Sequence, residues 1–380
     1  MTTLLLHDVA LRDPFLRHEI GEPAGDPLTF IEHDGRRIVV ASIFEEDIFS
    51  RREDVVDEFW SMQELGYDDL LRDESLPQSL VRAEVVLRAL QRVSAQRLTV
   101  PATFPVLLAQ YLTDKGLELT VDEELWWARR RQKTPGELEG IERAQRAAET
   151  AMLAAARMLR EAEPTRDGQL RFEGEIVTAE WIREAMEQEL LSQQTDCHDL
   201  LVQSGAAGMR GHDPGMGPIL PNETCIIDVW PRDMRSGAYS DMTRTFVPGR
   251  PRAEVQRLHA HCREALGVAL KAVRPGASDV HARVSELFRD KGHPTQLHHS
   301  GEGPIREGFT HSLGHGVGLE VHERPNIGRR SDELVEGDVI TLEPGLYYEG
   351  VGGVRLEDTV IVTAEGPEHL TDPFSYDLEP

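Results

Sequence analysis

The sequence predicts an α/β (α+β) protein of two domains, an alternating α/β unit over residues 1–125 followed by a larger mixed unit over 126–380. Short apolar runs alternate with helical periodicity through the first third of the chain. A basic break at 126–133, carrying three arginines and a lysine, runs into a strong helix-start signal. From about residue 200 the texture changes to glycine-rich loops between short apolar runs.

Within the first unit, residues 28–42 read as a hairpin, because Thr-Phe-Ile-Glu-His and Arg-Arg-Ile-Val-Val-Ala flank Asp34-Gly35, a two-residue type I′ turn signal. Amphipathic helices are expected at 54–64 and 79–93, a strand at 98–100, a helix at 104–115 and a strand at 117–121. Thr134-Pro135-Gly136-Glu137 then combines a threonine N-cap, proline at the first helical position and glutamate three residues on, which is a capping box. The helix it opens should run to about residue 163, with Leu138, Ile141, Ala148, Met152, Ala155 and Leu159 on one side. Further helices are expected at 178–192, 251–273 and 278–291. No internal repeat is visible, so the two units read as different folds.

Composition narrows the function. At 380 residues with 39% hydrophobic content the chain can bury two cores. Against 67 acidic residues stand 41 basic ones, and the net charge of −26 disfavours nucleic acid and anionic membrane as partners. Three scattered cysteines, Cys197, Cys225 and Cys262, make neither a disulfide framework nor a thiolate zinc site and fit a reducing cytoplasm. The first residues lack a basic region and a long apolar run, and no segment approaches a membrane span.

Chemistry concentrates at 311–323, His-Ser-Leu-Gly-His-Gly-Val-Gly-Leu-Glu-Val-His-Glu, where three histidines stand at spacings of four and seven. Gly314, Gly316 and Gly318 argue against a helix interior, since each would cost about 1 kcal/mol relative to alanine. An extended, close-packed segment is the better reading. Four carboxylates sit in apolar, strand-like runs nearby: Asp228 ends Cys-Ile-Ile-Asp, Asp241 lies in Tyr-Ser-Asp-Met-Thr-Arg-Thr-Phe, Glu343 in Val-Ile-Thr-Leu-Glu-Pro-Gly, and Glu357 in Val-Arg-Leu-Glu-Asp-Thr. Strand alternation allows Asp228 and Asp241 to share a face across a hairpin.

Burying uncompensated carboxylates is expensive, so several in apolar strands call for cations. Arg244 and Arg355 could neutralise any one acid, but four acids beside a histidine-rich stretch are better served by one or two divalent ions. An oxygen-rich donor set with one imidazole suits Mn²⁺ or another hard to borderline ion. Two ions held about 3.5 to 4 Å apart share a hydroxide nucleophile, which is hydrolytic chemistry. The zincin alternative fails, because His322-Glu323-Arg324-Pro325-Asn326 has asparagine at the second histidine position and a helix-opposing proline. No P-loop or Gly-x-Ser-x-Gly elbow occurs. His212, in Arg-Gly-His-Asp-Pro-Gly, is either a surface loop residue or a catalytic one, while His259, His261, His281, His298 and His299 read as packing or solvated side chains.

Taken together, these motifs, with Leu-Glu-Pro-Gly-Leu-Tyr and Lys-Thr-Pro-Gly-Glu-Leu, resemble the pita-bread metallopeptidases over residue 129 to the end of the chain. The nearest look is to the proline-specific branch, the Xaa-Pro aminopeptidases and the Xaa-Pro dipeptidases or prolidases. The resemblance implies a creatinase-like N-terminal α/β domain and a C-terminal pita-bread domain with a curved antiparallel sheet covered by helices. It implies two divalent ions, Mn²⁺ first with Co²⁺ or Zn²⁺ as alternatives. Asp228 would bind one, Asp241 and Glu357 bridge both, and His315 with Glu343 hold the other. A bridging hydroxide would attack the peptide carbonyl while Glu343 handles protons. His212 and His322 would bind and polarise that carbonyl, and His311, lining the proline pocket, and Arg355 would contact substrate. The implied activity is cleavage of an Xaa-Pro bond at the N-terminus of short proline-containing peptides, by a cytoplasmic homodimer, with the dipeptidase as alternative. A metal-free creatinase-type hydrolase and a non-enzymatic pita-bread binding protein are the remaining rivals. Two departures stand out: the Asp228 to Asp241 spacing is thirteen where eleven is usual, with Trp230 where glycine is common, and the N-terminal domain carries no recognisable motif.

Overall fold

A computed structural model describes residues 2–21, 24–52, 54–371 and 374–380. The chain divides into two compact units, Met1–Arg130 and Arg131–Pro380. The expected division at 125/126 falls inside the helix Glu123–Arg131. Trp126 and Arg130 of that helix are buried, with Trp126 in a core built by residues of the first unit, which carries the division to 130/131.

The first unit is a six-stranded sheet in the order Glu58–Ser61, Arg36–Ala41, Pro27–His33, Thr3–Val9, Arg97–Val100, Glu118–Val121. Its hairpin closes at His33↔Arg36, with φ of 53° at Asp34 and 75° at Gly35, the left-handed pair a type I′ turn requires. Side chains alternate faces, so Ile31 and Val40 enter one core with Leu90 and Leu98, while Phe30 and Val39 enter the other with Leu6 and Trp126.

One expectation is corrected here. Residues 54–64 are no helix: they contain the strand Glu58–Ser61, parallel to Arg36–Ala41. The apolar set Val55, Val56, Phe59 and Trp60 has helical spacing, but backbone pairing with the neighbouring strand overrides it. Phe59 then stacks on Phe49 with ring centroids 6.1 Å apart, and Trp60 is buried in the opposite core. The strand Thr3–Val9 and the helix Pro14–Ile20 were not expected; the helix has an Asp13 N-cap accepting from the Leu16 N–H at 2.7 Å.

In the second unit the helix Pro135–Glu161 begins at the predicted capping box. The Glu137 carboxylate accepts from the Thr134 N–H at 2.8 Å, and the Thr134 hydroxyl accepts from the Glu137 N–H at 3.2 Å. Its stripe of Ala148, Met152, Ala155 and Leu159 packs with the helix Ala179–Ser192 over the sheet Leu201–Ser204, Cys225–Val229, Met242–Phe246. The helices Ala253–Ala272 and Val280–Asp290 cover a five-stranded sheet, Glu323–Ile327, Gly314–Gly316, Val339–Leu342, Asp358–Thr363, Gly366–His369, together with the ribbon Gly345–Tyr348 and Gly352–Arg355. Every one of these pairings is antiparallel. The two sheets and the ribbon bring the acidic strands together, with hydrophobic cores behind them.

No helix among the described residues is long and apolar enough to cross a membrane. Replacing Thr134 by alanine removes the cap of the longest helix and should lower unfolding free energy by about 1 kcal/mol; a denaturant midpoint equal to wild type would show that the cap contributes nothing.

Candidate metal centre

Strand alternation places the first two acids. Ile227 and Val229 point into the core, so Asp228 between them faces the other way. Asp228 pairs in register with Thr243, and Asp241, two residues before Thr243, shares that face. The longer connection is taken up away from the ligands. Residues 232–238 form a turn around buried Asp233, whose carboxylate accepts from the Ser236 N–H at 2.8 Å and from Arg143 at 2.8 and 3.1 Å. Trp230 packs against the core beneath the sheet.

Glu343 and Glu357 sit just past strand ends, after Val339–Leu342 and between Gly352–Arg355 and Asp358–Thr363. The Glu357 N–H donates to the Thr243 carbonyl at 3.1 Å, which fixes Glu357 beside Asp228. His315 lies in Gly314–Gly316, and the glycines on either side have a steric reason. A Cβ on Gly314 would come within 2.0 Å of the Thr341 carbonyl oxygen, and one on Gly316 within 2.2 Å of the Arg324 carbonyl oxygen. The extended, close-packed segment read from the sequence is therefore what forms.

Asp241, His315 and Glu357 offer ligand atoms that all lie within 4.8 Å of one another. The Thr243 hydroxyl adds Asp228, lying 2.7 Å from Asp228 Oδ1 and 2.7 Å from Glu357 Oε2. Glu343 completes the set electrostatically: burial first, then Glu357 and Asp228, hold its carboxyl well above the usual range. Asp241 is raised by burial and then by Glu357, Asp228 and Glu343, and Glu357 is pushed up to about 8 by burial and by Asp228. One hydroxyl proton on Thr243 cannot serve two carboxylates, so the metal-free site needs a proton on one of them, in accord with the raised Glu357.

Three features fit a divalent cation. Asp241 Oδ1 and Glu357 Oε1 are buried with no hydrogen-bond partner. The His315 Nδ1–H donates to the Gly316 carbonyl at 3.0 Å, which leaves Nε2 with its lone pair 3.7 Å from Asp241 Oδ2. Burial and His322 lower the His315 pKa to about 4, so the ring is neutral and able to ligate. Oxygen donors dominate, which suits a hard to borderline ion.

The remaining predicted residues surround this cluster. His322 stands exposed beside His315, ring centroids 4.4 Å apart, its pKa lowered by burial and then by His212. His212 is exposed on the loop after the turn Gly205–Met209. In His311, Nδ1–H donates to the Ser312 carbonyl at 2.7 Å and Nε2 accepts from the Tyr347 hydroxyl at 3.0 Å. Both nitrogens are engaged, and burial lowers the His311 pKa to about 3. Arg355, expected to contact substrate, is instead buried and aims its guanidinium inward. It pairs with Asp228, donates to the Thr243 hydroxyl at 3.1 Å and reaches the Tyr347 hydroxyl at 3.1 Å.

Thr243 and Tyr347 were missed in the sequence, although both alternate with recognised residues: Thr243 stands two after Asp241, Tyr347 four after Glu343. The buried pair Lys133 and Glu323, tying the start of the second unit to the residue after His322, was missed as well.

The antiparallel sheets bring together a buried, acid-rich cluster with an imidazole able to ligate, the donor set of a hydrolytic metal site. Residues 139–364 match metallopeptidase family M24, more than half of the chain, and the chain belongs to that family. An Xaa-Pro dipeptidase of Lactobacillus delbrueckii is 33% identical over 177 residues, 46% of this chain and 44% of that protein. One of Pyrococcus furiosus is 39% identical over 135 residues, 35% of each. The chain thus spans less than half the length of these relatives. Among solved structures, an X-Pro aminopeptidase from Thermotoga maritima has a TM-score of 0.77 at 21% identity, covering 99% of this chain and 97% of that one. A prolidase from Pyrococcus furiosus has a TM-score of 0.71 at 22% identity, covering 98% and 97%. At these identities the likeness is one of fold.

Protons and metal compete for this site, and the sign of the pH dependence follows. The Glu357 pKa rises from 4.5 to about 8 on folding, so between those values the metal-free folded state holds a proton that the unfolded chain lacks. Stability then falls as pH rises, and the loss is complete above the folded value. His315 acts oppositely and lower, between 6.5 and about 4. From pH 6.5 to 8 the metal-free protein should lose thermal stability, saturating Mn²⁺ should remove the slope, and Glu357→Gln should flatten it without metal. A metal-free midpoint that rises across this interval would contradict the assignment.

Proposed function

We propose that this chain is a metal-dependent exopeptidase that hydrolyses the Xaa-Pro bond at the N-terminus of short peptides. The observation that carries the reading is the close approach of ligand atoms on Asp241, His315 and Glu357, with Asp228 and Glu357 at the same Thr243 hydroxyl and orphaned buried oxygens on Asp241 and Glu357. Asp228, Asp241, His315, Glu343 and Glu357 would hold two divalent ions, Mn²⁺ first, with Co²⁺ or Zn²⁺ as alternatives. Bound there, the ions would supply Lewis-acid activation of water and of the scissile carbonyl.

The chain's own residues do the rest. Glu343, whose raised pKa makes its carboxylate a stronger base than usual, would accept a proton from the attacking water and return it to the leaving proline nitrogen. His322 and His212 donate hydrogen bonds to the carbonyl oxygen as charge develops on it. His311, with both nitrogens tied, presents ring rather than donor to the proline. Arg355 holds Asp228 in place and Tyr347 holds His311.

A specific observation favours the dipeptidase as second reading. A cavity of about 800 Å³ beside His311 is also lined by Gln296, Asn326, Arg329 and Arg330. Neither arginine side chain pairs with a carboxylate among the described residues, and both are exposed. A guanidinium there would take the C-terminal carboxylate of a two-residue substrate in bidentate fashion. Relatives named Xaa-Pro dipeptidase and X-Pro aminopeptidase support both readings. The three free, buried cysteines support a reducing, cytoplasmic location, and the homodimer rests on the family resemblance.

Hydrolysis of an Xaa-Pro dipeptide, an Xaa-Pro-Xaa tripeptide and a proline-free control, each with added Mn²⁺, tests the reading. Cleavage confined to the dipeptide makes the protein a dipeptidase; cleavage of the control at the same rate removes proline specificity. If Arg329 and Arg330 grip the terminal carboxylate, alanine at both should reduce kcat/KM for the dipeptide by about 10-fold or more, the worth of a charge-assisted hydrogen bond, chiefly through KM. Asp241→Ala and Glu357→Ala should abolish turnover and release metal. An active variant with a full metal complement would refute the bridging roles, and less than one equivalent of bindable ion in wild type would refute the enzyme.

A further inference from the structure

The strands that carry the acids have a second, opposite face, and it is as heavily bonded as the first. On the site face the Thr243 hydroxyl lies 2.7 Å from Glu357 Oε2. One residue along each strand the pattern repeats behind: Arg244, which follows Thr243, meets Asp358, which follows Glu357, at 2.9 Å. Alternation puts Arg244 on the face of Met242 and Phe246, away from the ligands.

Arg244 is 1% exposed, and its guanidinium is committed on every side. Nη1 donates to the carbonyls of Thr243, its own neighbour in the chain, at 2.9 Å and of Glu357, the proposed ligand, at 2.7 Å. Nη2 reaches Asp358 and, at 3.2 Å, the Phe374 carbonyl, while Nε donates to the Ser375 carbonyl at 2.8 Å. The Tyr376 ring lies 4.6 Å from the guanidinium carbon and the Phe374 ring 5.6 Å. The Tyr376 hydroxyl also donates to Asp358, and the Val247 N–H donates to the Leu378 carbonyl at 2.7 Å, pinning the same segment to the end of the Met242–Phe246 strand.

We infer that Arg244, held from behind by residues 374–378, is a positioning residue for the metal centre: it locks Glu357 in register with Asp241 so that their carboxylates converge. Asp241 and Glu357 each directly precede a strand, Met242–Phe246 and Asp358–Thr363, and those strands belong to different sheets. Their alignment rests on cross-links between those strands, and among the described residues Arg244 joins both backbones and the final segment at once. A planar fork with five N–H groups can hold four carbonyls and a carboxylate together; a lysine ammonium cannot. The side chain touches neither substrate nor metal. It acts through the backbone of Thr243 and Glu357.

The inference rests on Asp241 and Glu357 being ligands, and metal binding tests it without reference to peptide cleavage. Mn²⁺ affinity would be measured by titration calorimetry, and ligand geometry by the visible absorption of the Co²⁺-loaded protein, at a temperature where each variant is folded by near-ultraviolet circular dichroism. Arg244→Lys should weaken Mn²⁺ binding by about 10- to 100-fold, the range for loss of a group that orients metal ligands. Tyr376→Leu, which removes the ring and its hydroxyl bond to Asp358 but leaves the Arg244 bonds to Thr243 and Glu357 in place, should weaken binding in the same direction and change the Co²⁺ spectrum. Tyr376→Phe keeps the ring and should rescue both. If wild type binds Mn²⁺ and folded Tyr376→Leu binds it equally with an unchanged Co²⁺ spectrum, the positioning role is overturned, even where Arg244→Lys fails to fold. Should wild type bind no Mn²⁺, the ligand assignment itself falls.

Discussion

Mutual repulsion among buried carboxylates is the constraint on which the rest of the second unit depends. Burial raises the pKa of Asp241, Glu343 and Glu357 first of all; Asp228 then pushes all three upward, and Glu357 adds to the rise of Asp241 and Glu343. No polypeptide gathers like charges in a dry site for stability's sake, because each carries a desolvation penalty of several kcal/mol. The protein answers with one internal cation, Arg355 against Asp228, and leaves two oxygens without partners. Divalent ions supply the missing positive charge, and protons take their place when the ions are absent.

That constraint explains the mechanical character of the surroundings. Thr243 and Tyr347 are uncharged hydroxyls at the junctions of the network, able to donate or accept as the protonation of their neighbours changes. His311 and His315 are both oriented by a backbone carbonyl at Nδ1, of Ser312 and Gly316 respectively, yet the consequences differ. His315 is left with a free lone pair facing a carboxylate; His311 has its second nitrogen closed by Tyr347. Two histidines four residues apart thus differ in whether a ring nitrogen is left open, by the choice of one hydroxyl neighbour. Behind the strands, the Arg244 and Asp358 pair repeats the front-face linkage with a charge that the site itself could not accommodate.

Much of this was legible in the chain. The Asp34-Gly35 turn, the Thr134 capping box, the glycine-spaced histidines and the acids in apolar strands each rest on local stereochemistry or on the penalty for burying a charge, and those act wherever the residues occur. Two departures were equally physical. The set Val55, Val56, Phe59 and Trp60 satisfies a helical stripe as well as a strand, and pairing with Arg36–Ala41 broke the tie. Arg355 was read from its residues as able to neutralise an acid and from the resemblance as a substrate contact; it pairs with Asp228, and nothing in its neighbours along the chain reveals that Asp228 lies across from it.

The sequence by itself determined the inventory: which residues can ligate, which backbone positions demand glycine, where helices start, and that the charge on the acids needs neutralising. Tertiary structure decided the partnerships. Asp228 meets Arg355 at a separation of 127 residues, Thr243 meets Glu357 at 114, and Arg244 meets the Ser375 carbonyl at 131. Contacts at such distances are set by strand register and sheet assembly, which depend on the whole core at once, so no local pattern records them.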